Sequence, residues 1–113
     1  MIRGVRRYRT QAGEIPFEEW LGSLRDWKLR SRILARLDRI VAGNFGDTKL
    51  VGTGIWELRF HFGPGYRIYF GLDGNVFVIL LCGGDKSNQR SDIERAQSYW
   101  KDYLRRKKDE TFC

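Results

Sequence analysis

Between Ile55 and Leu72 the chain reads I-W-E-L-R-F-H-F-G-P-G-Y-R-I-Y-F-G-L, and apolar and polar positions alternate through most of it. Trp56, Leu58, Phe60 and Phe62 fall on one side, and Glu57, Arg59 and His61 on the other. Tyr66, Ile68 and Phe70 then alternate against Arg67, Tyr69 and Gly71. Successive strand side chains face opposite sides of a sheet, so this pattern predicts two half-buried strands joined as a hairpin. A turn at Pro64-Gly65 alone would pair Phe62 with Arg67 and mix core with polar positions. A turn over Gly63-Pro64-Gly65 pairs Phe62 with Tyr66, Phe60 with Ile68, His61 with Arg67 and Arg59 with Tyr69. The buried pattern selects this second register. It gathers Arg59, His61, Arg67 and Tyr69 on one face.

The rest of the chain supplies what such a hairpin needs. Ile2–Thr10 predicts a short strand. Pro16 suits the first position of a helix, Ile15 stands at its N-cap, and Phe17, Trp20, Leu21 and Leu24 follow at helical spacing. A second helix is expected from Trp27 to Ala42, with Leu29, Ile33, Leu37, Ile40 and Val41 on one face. Arg30, Arg32, Arg36 and Arg39 lie largely outside that face, as a solvated surface or as contacts to RNA phosphates. The short link between the helices predicts an antiparallel pair. Residues 45–54 carry three glycines and are expected to be loop.

Asp73-Gly74 predicts a tight turn into Asn75–Cys82, in a register that sets Ile79 against Ile68 and Leu80 against Arg67. Residues 76–81 are apolar throughout, which marks an interior strand covered on both faces. Gly83-Gly84 should end it. Ser91–Glu94 spells a capping box for a last helix that starts there or nearer Ser87. Its apolar stripe uses Ile93, Ala96, Tyr99 or Trp100, Tyr103 and Leu104, and it should cover the second face of the sheet. The order is β-α-α-β-β-β-α, an α+β domain on a small antiparallel or mixed sheet packed against a helical hairpin and a C-terminal helix. One domain spans residues 1–106, with 107–113 as a basic, disordered tail.

Charge narrows the function classes. Lys and Arg number 21 against 14 Asp and Glu, a net +7 that suits a polyanionic partner or a protein with an acidic surface. With two cysteines, Cys82 and Cys113, and the single His61, neither a disulfide framework nor a metal centre is expected. No apolar run reaches the ~18 residues of a membrane span, and no apolar stretch follows the N-terminal arginines. The expected setting is cytoplasmic.

The pieces G-N-F-G-D at Gly43–Asp47, W-E-L-R at Trp56–Arg59, G-P-G-Y-R-I-Y at Gly63–Tyr69 and L-L-C-G-G-D-K-S at Leu80–Ser87 carry a family likeness. Through them the chain resembles the HigB-like addiction-module killer proteins of the RelE/ParE toxin superfamily, from roughly Tyr8 to Tyr103. The resemblance implies a RelE/ParE-like fold. It also implies the toxin of a type II toxin–antitoxin system, neutralised by a co-encoded antitoxin, usually a small helix-turn-helix protein. The activity most common in the superfamily is ribosome-dependent mRNA cleavage without metal or cofactor. Another branch poisons DNA gyrase without enzymatic activity, and a basic regulator that has lost toxicity is a third reading. The cationic positions of such toxins correspond to Arg59, Arg67 and Lys86 here. A tyrosine that many RelE-type nucleases carry early in the last helix is replaced by Ile93.

In such cleavage the 2′-hydroxyl attacks the adjacent phosphate while a base takes its proton and an acid protonates the leaving 5′-oxygen. Arginine forks suit the charge that builds on phosphorus, which makes Arg59 and Arg67, with Lys86, the expected phosphate-binding residues. His61 is the one imidazole and the expected proton carrier, with Tyr69 or Lys86 as the other. Against these readings, His61 is also placed to be simply exposed near a turn, and Arg67 to pair with Glu57. Glu57 fits the holding of Arg59 or Arg67 better than proton transfer, and Trp56 reads as packing.

Overall fold

The computed structural model describes residues 2–111. Its elements are β1 (Gly4–Arg7), α1 (Pro16–Ser23), α2 (Trp27–Val41), β2 (Thr48–Gly52), β3 (Ile55–Arg59), β4 (Tyr66–Asp73), β5 (Phe77–Asp85), a 3₁₀ turn (Lys86–Asn88) and α3 (Gln89–Thr111). The strands form one five-stranded sheet in the order β1-β5-β4-β3-β2. β1 runs parallel to β5 and every other pairing is antiparallel, so the sheet is mixed. No helix among the described residues is long and apolar enough to cross a membrane.

The alternation sorts the core into two layers. Phe17 of α1 and Ile33, Leu37 and Ile40 of α2 pack on Leu58, Phe60, Ile68, Phe70, Val78 and Leu80. Ala96 and Trp100 of α3 pack on the other face against Ile55, Tyr69, Ile79, Leu81 and Cys82. β5 therefore feeds both layers, as an apolar run without alternation should. Burying these side chains supplies the main driving force, at roughly 25 cal/mol per Å² of apolar surface.

Both helix starts follow their local chemistry. Ile15 precedes α1 and gives no side-chain cap, leaving Pro16 to open the helix. Asp26 caps α2 by accepting from Lys28 N at 2.9 Å. Gly43, at φ +91, ends that helix in the left-handed region.

Several expectations change. Residues 45–54 are not all loop, because Thr48–Gly52 pairs with β3 as an edge strand. The partner strand supplies the pairing, and a short stretch with Lys49 and Leu50 exposed gives little alternation to read. The β3–β4 register is shifted by two residues, with Arg59 opposite Arg67, Glu57 opposite Tyr69 and Leu58 opposite Ile68. The loop is longer than a three-residue turn because Phe62 folds back, edge-on to Phe60 and Tyr66 at ring-centroid distances of 5.5 and 6.0 Å. A shift of two keeps every side chain on its expected face.

The β4–β5 register moves as well. Gly74 and Asn75 both take left-handed φ, +61 and +57, so the turn is wider than Asp73-Gly74 implies. A bulge between Tyr69 and Phe70 adds to the offset. Ile68 then meets Gly83 and Arg67 meets Gly84, while Ile79 meets Gly71 and Leu80 meets Phe70. Gly83-Gly84 thus continues β5 to Asp85 and does not end it.

The reason for glycine there is steric. A Cβ at Gly83 would collide with the Trp20 ring of α1, and one at Gly71 would lie 2.5 Å from the Trp100 ring of α3. The Ser91–Glu94 capping box goes unused. The chain already turns at Asp85, whose carboxylate accepts from Ser87 N at 2.9 Å, and Ser91 Oγ donates back to Asn88 O. The expected disordered tail is helical to Thr111, and Lys107 is paired with Asp73 at the β4–β5 turn. Residues 112 and 113, including Cys113, lie outside the described residues.

Gly71→Ala should lose about 1–3 kcal/mol of stability by overpacking against Trp100, measured by urea unfolding. Gly22→Ala, in helix α1 with nothing within 4 Å of its new methyl, should gain several tenths of a kcal/mol, about 0.5.

Candidate functional site

Because Leu58, Phe60 and Ile68 are drawn into the α1–α2 layer, Arg59 and Arg67 must point to the face shared with α3. Like charges directly opposite on adjacent strands repel. Each arginine here has its own carboxylate. Arg59 donates through Nε and Nη2 to Asp47 Oδ1, at 3.2 and 2.8 Å. Arg67 donates through Nη1 to Glu57 Oε1 at 2.7 Å.

The two carboxylates differ in setting. Glu57 is 1% exposed, and its second oxygen accepts from Gln89 Nε2 of α3 at 2.7 Å. Both Glu57 oxygens are satisfied, as a buried charge requires. Arg67 Nε is also buried and has no hydrogen-bond partner among the described residues. Asp47 is more open. It immediately precedes β2, where its carbonyl accepts from Arg59 N at 2.9 Å. Its Oδ2 lies 2.5 Å from His61 Nε2. The Arg59 guanidinium first, and His61 after it, hold the Asp47 carboxyl below its ordinary range.

The structure thus brings four of the five expected residues to one end of the sheet. Arg59 and Arg67 stand side by side, and His61 joins Arg59 through Asp47. Lys86 is exposed on the 3₁₀ turn, with its stem beside Gly65 at the hairpin tip. His61 is 78% exposed at the side chain and does not face Arg67 as the three-residue turn implied. Tyr69 departs further. It is fully buried beneath α3, and burial, then nearby Glu57, drives its pKa upward. A phenol so enclosed cannot meet a substrate, so the expected role as a proton carrier falls. The register fixes this: the position opposite Glu57 lies under the helix, away from the open end.

Three residues outside the expected set shape the site. Asp47 closes G-N-F-G-D, and only the β2 pairing reveals that it faces Arg59. Gln89 reaches Glu57 because the 3₁₀ turn aims the start of α3 back over the sheet. Arg36 of α2 donates to the carbonyls of Arg59, Phe45 and Asp47, the last two at 3.3 and 3.1 Å. It ties the loop that carries Asp47 to the end of β3. Burial, with a further push from Arg39, lowers its pKa.

Comparison with known proteins follows the same region. Residues 19–101 match the family described as Phage derived protein Gp49-like (DUF891). An uncharacterised protein of Haemophilus influenzae is 48% identical over 83 residues, which cover 74% of this chain and 84% of that protein. The family match takes in Asp47, Glu57, Arg59, His61, Arg67, Lys86 and Gln89.

Removing one partner of a buried ion pair leaves the other uncompensated. Arg67→Ala should therefore cost about 3 kcal/mol in urea unfolding, and adding Glu57→Gln should restore much of the loss. Asp47 gives an acid-limb prediction. Its folded pKa is depressed, so its contribution is present above the unfolded value near 3.9 and is lost as pH falls through the folded value. Asp47→Asn should be less stable than the parent at pH 7, with the difference closing below about pH 4 in acid-unfolding curves.

Proposed function

We propose, because the chain belongs to the Gp49-like family of phage-derived proteins, a toxin-like family of toxin–antitoxin systems, that it acts as the toxin of a type II module. Its activity in this reading is that of a HigB/RelE-like, ribosome-dependent mRNA endoribonuclease working in the cytoplasm. The observation that carries the reading is the Arg59–Arg67 pair, two forks opposite one another, each braced by its own carboxylate. A scissile phosphate set between them meets fixed cations whose orientation is already determined. Such preorganisation is how an active site stabilises charge that develops in a transition state.

His61 and Asp47 supply the proton chemistry. With Nε2 turned to the carboxylate, Nδ1 is left to take the proton of the attacking 2′-hydroxyl. Burial of Tyr69 leaves Lys86 as the carrier that protonates the departing 5′-oxygen, and its ammonium also adds charge beside the phosphate. A co-encoded small helix-turn-helix antitoxin is the proposed protein partner, and the ribosome with its message the proposed target. The net charge of +7 suits the latter.

The test is induction in a host that lacks the antitoxin, followed by mapping of message ends. The parent chain should arrest growth and cut translated messages within their reading frames. Arg59→Gln and Lys86→Ala, which leave the buried Glu57–Arg67 pair in place, should remain folded and lower cutting by roughly 10²-fold. Growth arrest with intact messages and stalled gyrase–DNA complexes would replace this function with gyrase poisoning. An inert chain that still binds its partner would make it a regulator.

A further inference from the structure

On the other side of the hairpin tip, α2 and residues 60–62 enclose a cleft of about 420 Å³. Arg32, Arg36 and Arg39 line it from α2, at i, i+4 and i+7, so they share one face of the helix. The first and last lie about 10 Å apart along the axis. Arg32 lies over the Phe62 ring at 3.9 Å from its centroid, and Arg36 over Phe60 at 4.7 Å. Stacking of this kind holds a guanidinium in place while leaving its N–H edge available.

The cleft is not neutralised. Arg36 spends its donors on backbone carbonyls. Among the described residues neither Arg32 nor Arg39 makes an ion pair. Among the described residues Asp47 is the one carboxylate in the lining, and its oxygens are taken by Arg59 and His61. The same Asp47 and His61 join this cleft to the face that carries Arg59 and Arg67.

We propose that the α2 cleft is a second nucleic-acid subsite, in which Arg32 and Arg39 hold the phosphodiester backbone of the RNA strand after it passes His61. The inference rests on the function proposed above, which sets RNA on the Arg59–Arg67 face. A row of cations along a helix suits a polymer with regularly spaced negative charge. An acidic protein segment is the other polyanion such a row could take, and the continuity of the cleft with the Arg59–Arg67 face through Asp47 and His61 favours RNA. The subsite contributes affinity and strand direction, and it takes no part in the chemical step.

The experiment is fluorescence anisotropy of a labelled single-stranded RNA oligonucleotide with the full chain across a salt series. Each phosphate neutralised on a single strand contributes about 0.7 to the slope of log affinity against log salt. Arg32→Gln with Arg39→Gln should weaken binding and reduce the slope by about 1.4. Arg39→Gln alone, which disturbs neither ring contact, should reduce it by about 0.7. Arg32→Lys with Arg39→Lys should restore most of the slope, because phosphate contacts need charge and position.

Message cleavage, measured in parallel, separates the two readings. If the parent cuts messages while the double Gln variant binds RNA with an unchanged slope, the cleft proposal fails and the nuclease reading stands. If the parent cuts none while the double variant shows the reduced slope, the cleft is a nucleic-acid site and the nuclease reading fails. A parent chain that binds a polyglutamate peptide through these arginines but binds no RNA overturns the subsite.

Discussion

Two guanidinium groups facing each other across adjacent strands repel, and on a sheet face closed by a helix that repulsion would open the fold unless counter-charge came with it. Here the counter-charge comes from two directions. Glu57 lies on the strand of Arg59 and reaches across to Arg67, and Asp47, just before the edge strand, reaches in to Arg59. Gln89 of α3 completes the buried Glu57, so the last helix is tied to the same constraint. The charges offered to a phosphate in the proposed function are therefore also charges the fold must satisfy. One consequence is that Arg67 is poorly suited to a simple deletion test, since its loss strands Glu57. Arg59 and Lys86 are better probes: the Arg59 side chain is 35% exposed against 17% for Arg67, and Lys86 is exposed.

The layers on either side keep this arrangement in place. Small residues in β4 and β5 let the helices come close: Gly83 admits Trp20 on one face, and Gly71 admits Trp100 on the other. Arg36 works at the open end, binding the carbonyls that fix the 45–47 loop and so the position of Asp47. Packing holds the middle of the sheet rigid. Hydrogen bonds from Arg36 hold the end where Arg59 and Asp47 meet.

Much of this was legible in the chain. Period-two alternation gave the faces of β3 and β4, the unbroken apolar run gave the interior strand, and Arg59, His61, Arg67 and Lys86 do gather at one end. What alternation cannot give is absolute register. A two-residue slide preserves faces, so the error was invisible in the pattern, yet it brought Arg59 opposite Arg67 and set Tyr69 beside Glu57 under α3. The edge strand was hidden for a related reason. Thr48–Gly52 has too few buried residues to announce itself, and with it went Asp47, whose role depends wholly on being β3's neighbour. Gln89 and Arg36 act through long-range contacts that no local spacing encodes.

In the proposed function the braced arginine pair holds a phosphate of messenger RNA while its backbone is cut. The most direct measurement uses purified chain, translating ribosomes and a defined message, comparing the parent with Arg59→Gln at matched folding. The parent should release fragments ending in a 2′,3′-cyclic phosphate or its opened form, and Arg59→Gln should release them at a rate lower by roughly 10²-fold. Intact message with the parent chain, or equal cutting by the two proteins, would contradict it.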